Sequence, residues 1–149
     1  MTHGELAAQY FARGYACSQA VLLAFSDLTG LDESTALRIS SSFGGGMGRL
    51  REVCGAVSGM FMAAGLLYSG DMLNAKDKKE HYARIQELAA RFRAANGSIV
   101  CRELLNGVPA KPGAEPEPRT SEYYKKRPCG EYCRIAADIL EQYILENPR

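Results

Sequence analysis

Five cysteines are the residues of this sequence best suited to chemistry. Four of them fall where the sequence pattern predicts that a helix begins, and the fifth follows the last of these by one helical turn. Backbone N–H groups and the helix dipole stabilise negative charge at a helix start, and the thiolate is the nucleophile and metal ligand. We therefore expect lowered thiol pKa values, above all at Cys54, whose preceding glycines leave its surroundings open. Arg49 and Arg51 are close enough in sequence to add positive charge there, which Glu52 would partly offset. The cysteines at predicted helix starts are Cys17, Cys54, Cys101 and Cys129, and the fifth is Cys133.

Packing is the other interpretation of these cysteines, because free cysteine is among the most buried residue types. It would be preferred for a single cysteine, but four at helix starts favour chemistry. The sequence contains no Cys-x-x-Cys, so the signatures of a zinc ribbon, a thioredoxin motif and covalent haem attachment are missing. Cys129 and Cys133 share one helix face, which suits metal ligation or a transient partnership better than a relaxed disulfide.

Composition limits the class of protein. A length of 149 residues, with 46% hydrophobic and 23% charged side chains, indicates one globular domain over residues 1–149. With 18 basic and 17 acidic side chains, the chain has no electrostatic basis for binding nucleic acid. The first residues lack the pattern of a signal peptide, so we expect a cytoplasmic protein with reduced thiols. Residues 53–70 carry no charge, but their glycines and serines favour a buried helix over a membrane span.

Hydrophobic spacing predicts helices along nearly the whole chain. We therefore expect an all-α fold, a compact single-domain bundle of about five to seven helices. A proline-rich loop, residues 106–128, precedes the last helix, and its length is equally compatible with a functional loop and with a solvated insertion. The helices are predicted from Thr2 to Gly14, around Val21 to Leu28, from Asp32 to Gly44, from about Glu52 to Tyr68, from Asn74 to Asn96, from Cys101 to Leu105, and from Pro128 to before Pro148.

Glycines near Cys54 form a second candidate feature. The run from Phe43 to Gly48 is neither a dinucleotide fingerprint nor a phosphate loop, because the spacing and the Lys-Ser/Thr are missing. A glycine-rich turn lets the backbone approach a bound group closely, with a flexible connector as the alternative. Gly55, Gly59 and Ala63 form a smooth strip that favours close helix packing in the core over a dimer surface. The candidate cofactor-contacting residues are Gly45, Gly46 and Gly55.

Four motifs in order resemble the family of redox-active proteins known by the four-cysteine signature C_GCAxxG_C_C, over about residues 11–140. The most specific is Cys54-Gly55-Ala56-Val57-Ser58-Gly59. The resemblance implies that Cys17, Cys54, Cys101 and Cys129 form the shared set, with Cys133 an addition where the family more often has an aliphatic residue. Whether Cys129 or Cys133 is the fourth member stays open. The motifs are Phe11-x-x-Gly-Tyr-x-Cys17-Ser-Gln-Ala-Val, Phe43-Gly-Gly-Gly-Met-Gly48, Val53-Cys-Gly-Ala-Val-Ser-Gly59 and Gly97-Ser-Ile-x-Cys-Arg-Glu-Leu-Leu105.

The sequence and the resemblance together predict a cytoplasmic redox protein, either an oxidoreductase or an electron-transfer protein. Its clustered cysteines would undergo thiol–disulfide chemistry or bind an iron–sulfur cluster or zinc. The alternative is a non-enzymatic accessory module with structural cysteines or a structural zinc. We expect a redox partner, and a homodimer is a further hypothesis. The candidate metal ligands are Cys17, Cys54, Cys101, Cys129 and Cys133.

Overall fold

The computed structural model describes residues 1–106 and 113–149, apart from the side chain of Lys126. These residues are mostly helical and contain no strand, only an isolated antiparallel bridge between Val53 and Val100. The all-α prediction is therefore confirmed. The helices are α1 (His3–Ala12), α2 (Cys17–Ala24), α3 (Ser26–Thr29), α4 (Glu33–Ser40), α5 (Gly44–Met47), α6 (Gly55–Tyr68), α7 (Ala75–Asn96), α8 (Cys101–Leu104), α9 (Ser121–Lys126) and α10 (Cys129–Glu146), with a 3₁₀ turn at Ser41–Phe43.

Local capping residues set the ends of the longer helices. Thr2 and Glu5 form the capping box that begins α1. Asp32 and Asn74 accept hydrogen bonds from the first turns of α4 and α7. Gly97 ends α7 with a left-handed φ of 92°. These ends agree with the sequence prediction because caps act over only a few residues.

The helices α2 and α6 form the centre of the core. Their backbones approach closely, since a Cβ atom added to Gly59 would lie 2.7 Å from the carbonyl oxygen of Ser18. The smooth strip is thus covered by α2, which confirms its role in the core. The helix α1 packs against α10, and α7 packs against α6 and α10. The largest fully buried side chains include Phe25, Phe92, Leu22, Met60, Leu88 and Leu140.

The predicted helix number of five to seven is too low. The predicted second helix is divided at Phe25 into α2 and α3, and α4 is followed by the 3₁₀ turn and α5. The helix α9 lies inside the predicted 106–128 loop, where Thr120 caps it by accepting a hydrogen bond from the Tyr123 N–H. Helices of four to six residues are too short to produce a hydrophobic period. Residues 107–112 of that loop lie outside the described residues.

Among the helices that the structure describes, none combines the length and the hydropathy of a membrane-spanning segment. The uncharged stretch forms α6, which has 14 residues. Most of its side chains are buried against other helices, as expected for a core helix.

Candidate functional site

Four cysteines from four distant parts of the chain line one cavity of about 280 Å³. Three of them are the first residues of α2, α8 and α10, and Cys54 directly precedes α6. Their predicted placement at helix starts is therefore confirmed. All are free thiols, as is the fifth cysteine. The cysteines that line the cavity are Cys17, Cys54, Cys101 and Cys129.

The isolated bridge positions Cys54 and Cys101. In the chain, each follows one of the two bridged valines. The N–H of Cys54 donates to the carbonyl oxygen of Ile99 at 2.8 Å, and the N–H of Cys101 donates to that of Glu52 at 2.5 Å. These hydrogen bonds join two segments that are far apart in sequence and bring both cysteines to the same cavity.

The glycine run forms a left-handed turn beside these cysteines. All five residues from Gly45 to Arg49 have φ between 61° and 73°. Glycine adopts this conformation without steric cost, whereas each non-glycine residue costs about 1–2 kcal/mol. A Cβ atom on Gly46 would lie 2.7 Å from the Cβ of Cys101, so this turn and α8 pack without room for a side chain. The run therefore forms part of the cavity lining, in a backbone conformation that its glycines permit.

The three glycines predicted to contact a cofactor occupy different positions at the site. Gly45 and Gly55 line the cavity, whereas Gly46 lies behind Cys101. A Cβ atom on Gly55 would overlap the sulfur of Cys17. The glycines thus let the sulfur-bearing segments approach one another, and contact with a cofactor stays a prediction.

The expected low pKa at Cys54 is wrong. The side chain is only 6% exposed, and burial raises its pKa well above the ordinary value, with the neighbouring Cys17 adding to the rise. The backbone amides of Ala56 and Val57 at the start of α6 lower the pKa, but by less. Desolvation of the thiolate outweighs the helix start because the surrounding side chains exclude water. The nearby glycines border the cavity, but they do not expose the Cys54 thiol to solvent.

Two other cavity thiols are also held in the protonated form. Burial raises the pKa of Cys17, which the amide of Gly45 partly offsets, and the charge of Cys101 raises it further. Burial raises the pKa of Cys129 to about 12, with Cys17 and Cys101 contributing. These charge effects run between cysteines that line one cavity, so a thiolate at one of them disfavours ionisation of the next.

Arg51 lies beside a cysteine other than the one expected. The sequence suggested that Arg49 and Arg51 would add positive charge near Cys54. In the structure the Arg51 guanidinium donates to the sulfur of Cys101 at 3.8 Å. A guanidinium at this sulfur is placed to stabilise negative charge there.

Cys133 lies in the hydrophobic core and does not line the cavity. It is 0% exposed, and its thiol faces the carbonyl oxygen of Cys17 at 3.8 Å. Burial raises its pKa well above the ordinary value, followed by the charges of Cys17 and Cys54. Cys129, one helical turn earlier, is the cysteine of α10 that reaches the cavity.

Sequence reasoning missed the charged residues that the proline-rich loop brings to the cavity. Glu117, Arg119 and Arg127 all line it. Glu117 forms ion pairs with Arg127 and, at 3.6 Å, with Arg49 of the glycine turn. A signal existed in Arg119 and Arg127, which lie four residues before and after Tyr123, but nothing local links these arginines to residues 49–51. The loop is thus a wall of the site, which favours the functional interpretation over a solvated insertion.

The cysteine cavity does not fit a bound metal ion as it stands. Within residues 1–106 and 113–149, no group of three or more His, Cys, Asp or Glu side chains is positioned to hold one. Four thiols are nonetheless a donor set that zinc and iron–sulfur clusters use. Ligation would require at least three of the sulfurs to move within reach of one ion, so metal binding stays a prediction.

The chain matches one protein family over most of its length. The match covers residues 15–143, and the family is described as "Putative redox-active protein (C_GCAxxG_C_C)". All four cavity cysteines lie inside the matched range, although Cys54 and Gly55 occur in the reverse order of the letters in the family's label. No curated protein and no solved structure matches the chain. The chain belongs to this C_GCAxxG_C_C family of redox-active proteins.

Proposed function

We propose that this protein carries out thiol–disulfide exchange with the cysteines of the cavity. The observation that carries the proposal is the convergence of four free thiols from four separate segments on one cavity of about 280 Å³. Packing alone does not require that all four border the same space. A reducing compartment such as the cytoplasm supplies the thiol form that the reaction starts from.

Cys101 is the proposed nucleophile, because the Arg51 guanidinium lies at its sulfur. A positively charged partner favours the thiolate, which is the reactive form of cysteine. The other cavity thiols are held protonated by burial. They therefore stay in the reduced thiol form until a neighbouring sulfur is oxidised.

Cys17 is the proposed resolving cysteine. After burial, the charge of Cys101 raises the pKa of Cys17, and Cys17 in turn raises the pKa of both Cys54 and Cys129. Cys17 is therefore the thiol that the others share as a neighbour. Its sulfur also lies directly against Gly55, beside the start of α6.

The reaction balances without any further reagent. The Cys101 thiolate attacks one sulfur of a substrate disulfide, the substrate S–S bond breaks, and one thiolate leaves and takes up a proton. The thiol of Cys17 attacks the sulfur of Cys101 in the mixed disulfide, the bond between Cys101 and the substrate sulfur breaks, and the Cys17 proton passes to the departing thiolate, which leaves as the second thiol. The protein loses two electrons and two protons, and the substrate gains both.

Mass spectrometry of a single turnover tests this order. Reduced protein is mixed with bis(2-hydroxyethyl) disulfide, a neutral probe, without other thiols present. We expect wild-type protein to lose two thiols per chain and to keep no part of the probe. Cys17→Ser should trap the mixed disulfide at Cys101, and Cys101→Ser should react slowly.

Cys133→Val is the matched control, because Cys133 does not line the cavity. It should react as wild type does. If no disulfide forms among the cavity cysteines, the redox proposal is overturned and the accessory-module alternative is supported. Anaerobic preparation, with iron, sulfide and zinc measured per chain, tests metal binding separately.

A further inference from the structure

The lining of the cysteine cavity carries more positive than negative charge. Of the described residues that form it, four are arginines and one, Glu117, bears a carboxylate. Glu117 pairs with two of these arginines. The lining therefore has an excess of guanidinium groups. The four arginines are Arg49, Arg51, Arg119 and Arg127.

Two of these guanidiniums have no carboxylate partner within the described ranges, namely Arg51 and Arg119. Arg51 donates to the sulfur of Cys101, as described above. Arg119 donates to the backbone carbonyls of Phe11 and Tyr15, each at 3.1 Å, and lies 4.2 Å from the centre of the Phe11 ring. These partners are neutral, so they orient Arg119 without cancelling its charge.

The positive charge acts at the reactive sulfurs themselves. Arg119 lowers the pKa of both Cys17 and Cys129, although burial has the larger and opposite effect on each. The helices α2, α6 and α10, which have 8, 14 and 18 residues, also begin at the cavity, and their first N–H groups add partial positive charge. An anion entering this space would be attracted from several directions.

We propose that the substrate of this cavity is a small disulfide that carries carboxylate groups. The inference rests on the proposed thiol chemistry and adds the class of substrate. A volume of about 280 Å³ is near the lower end of the range for ligand cavities, so the substrate is small. Guanidinium groups bind carboxylates through paired hydrogen bonds, which would orient the substrate disulfide toward Cys101. Each thiol released in the exchange then carries away one carboxylate.

Three probe disulfides of similar size and different charge test the inference. They are dithiodiglycolate, which is anionic, bis(2-hydroxyethyl) disulfide, which is neutral, and cystamine, which is cationic. The rate constant for oxidation of reduced protein is divided by that for dithiothreitol with the same probe, which removes differences in intrinsic reactivity. We expect the normalised rate to be on the order of tenfold higher for the anionic than for the neutral probe, and lowest for cystamine. Added salt should shrink the ratio.

Substitutions locate the source of the preference. Arg51→Gln and Arg119→Gln should each lower the anionic-to-neutral ratio severalfold, whereas Arg51→Lys should retain most of it because the charge remains. Arg93→Gln is the charge-matched control, since Arg93 is exposed on α7 and does not line the cavity. It should leave the ratio unchanged.

The outcomes separate this inference from the proposed function. Equal normalised rates for all three probes would overturn the anionic substrate and leave thiol–disulfide exchange standing. A preference that survives Arg51→Gln and Arg119→Gln, or that Arg93→Gln removes, would also overturn it. If none of the probes oxidises the cavity cysteines, both the proposed function and this inference are overturned.

Discussion

The sulfur of Cys17 lies where any side chain on Gly55 would have to begin. A Cβ atom on Gly55 would overlap this sulfur and would also lie 2.9 Å from the carbonyl oxygen of Phe43. Gly55 directly follows Cys54, so the contact brings the first cysteine of α2 beside the start of α6. The glycine of the most specific family motif therefore has a packing reason: it leaves space for a second cysteine.

Gly55→Ala should destabilise the protein and displace Cys17. We expect a loss of about 1–3 kcal/mol in the free energy of unfolding, because a methyl group is forced into a packed core. Urea unfolding measures the loss, and the single-turnover assay should show slower resolution of the mixed disulfide.

Gly65→Ala is the matched control for this change, since it lies in the same helix. Among the described residues, an added Cβ there would meet only the His81 ring nitrogen within 4 Å, at 4.0 Å. Alanine is the better helix former, so stability should rise by up to about 1 kcal/mol. Equal effects of the two substitutions would contradict the packing role of Gly55.

Cys133→Val should retain the fold and the cavity chemistry. Valine is apolar and close to cysteine in size, and a fully buried site of this kind tolerates such exchanges at a cost of less than about 1.5 kcal/mol. Counting the thiols lost on oxidation checks the chemistry. Cys129→Val is the comparison, because Cys129 lines the cavity. A loss of cavity oxidation in Cys133→Val, with folding preserved, would show that the wrong cysteine of α10 was assigned to the site.

Stability should fall as pH rises above about 8.5, the ordinary pKa of a cysteine in the unfolded chain. Burial raises the folded-state pKa values of Cys17, Cys54 and Cys129, so in this range the folded protein keeps protons that the unfolded chain has lost. Each thiol then lowers the free energy of unfolding by up to about 1.4 kcal/mol per pH unit. For Cys129 this continues toward its pKa of about 12.

Urea unfolding of the reduced protein at about pH 7.5, 8.5 and 9.5 measures this slope. Cys133→Val removes another buried thiol with a raised pKa and should make the slope shallower. A flat profile across this range would mean that the cavity thiols ionise as readily in the folded protein as in the unfolded chain.

Met47→Gly should stabilise the glycine turn. Met47 has φ of 70° in the left-handed region, and its side chain is 41% exposed, so little packing is lost. The strain energy that is relieved should exceed the free-energy cost of the greater conformational entropy of the unfolded chain. We expect a net gain in stability of up to about 1 kcal/mol. Met47→Ala removes the same side chain and keeps the strain. Thermal unfolding of both variants should place the glycine variant higher, and the reverse order would argue against a strained turn.

The sequence by itself determined the local features of this protein. Thr2 with Glu5, Asp32 and Asn74 predict helix starts because a cap acts over one turn of chain. The same local logic placed four cysteines at or beside helix starts. Local patterns did not predict α9 or the short segments around the glycine run, because these segments have too few residues to show a hydrophobic period.

Tertiary structure alone decided the properties of the site. The sign of the Cys54 pKa shift depends on how completely other segments exclude water, which no local pattern records. One turn of α10 separates Cys129 at the cavity from Cys133 in the core, and only packing against α1 and α2 distinguishes them. Arg51 and Arg119 lie 68 residues apart in the sequence but line the same cavity. No local pattern predicts this, because burial and charge effects depend on distance through space and not along the chain.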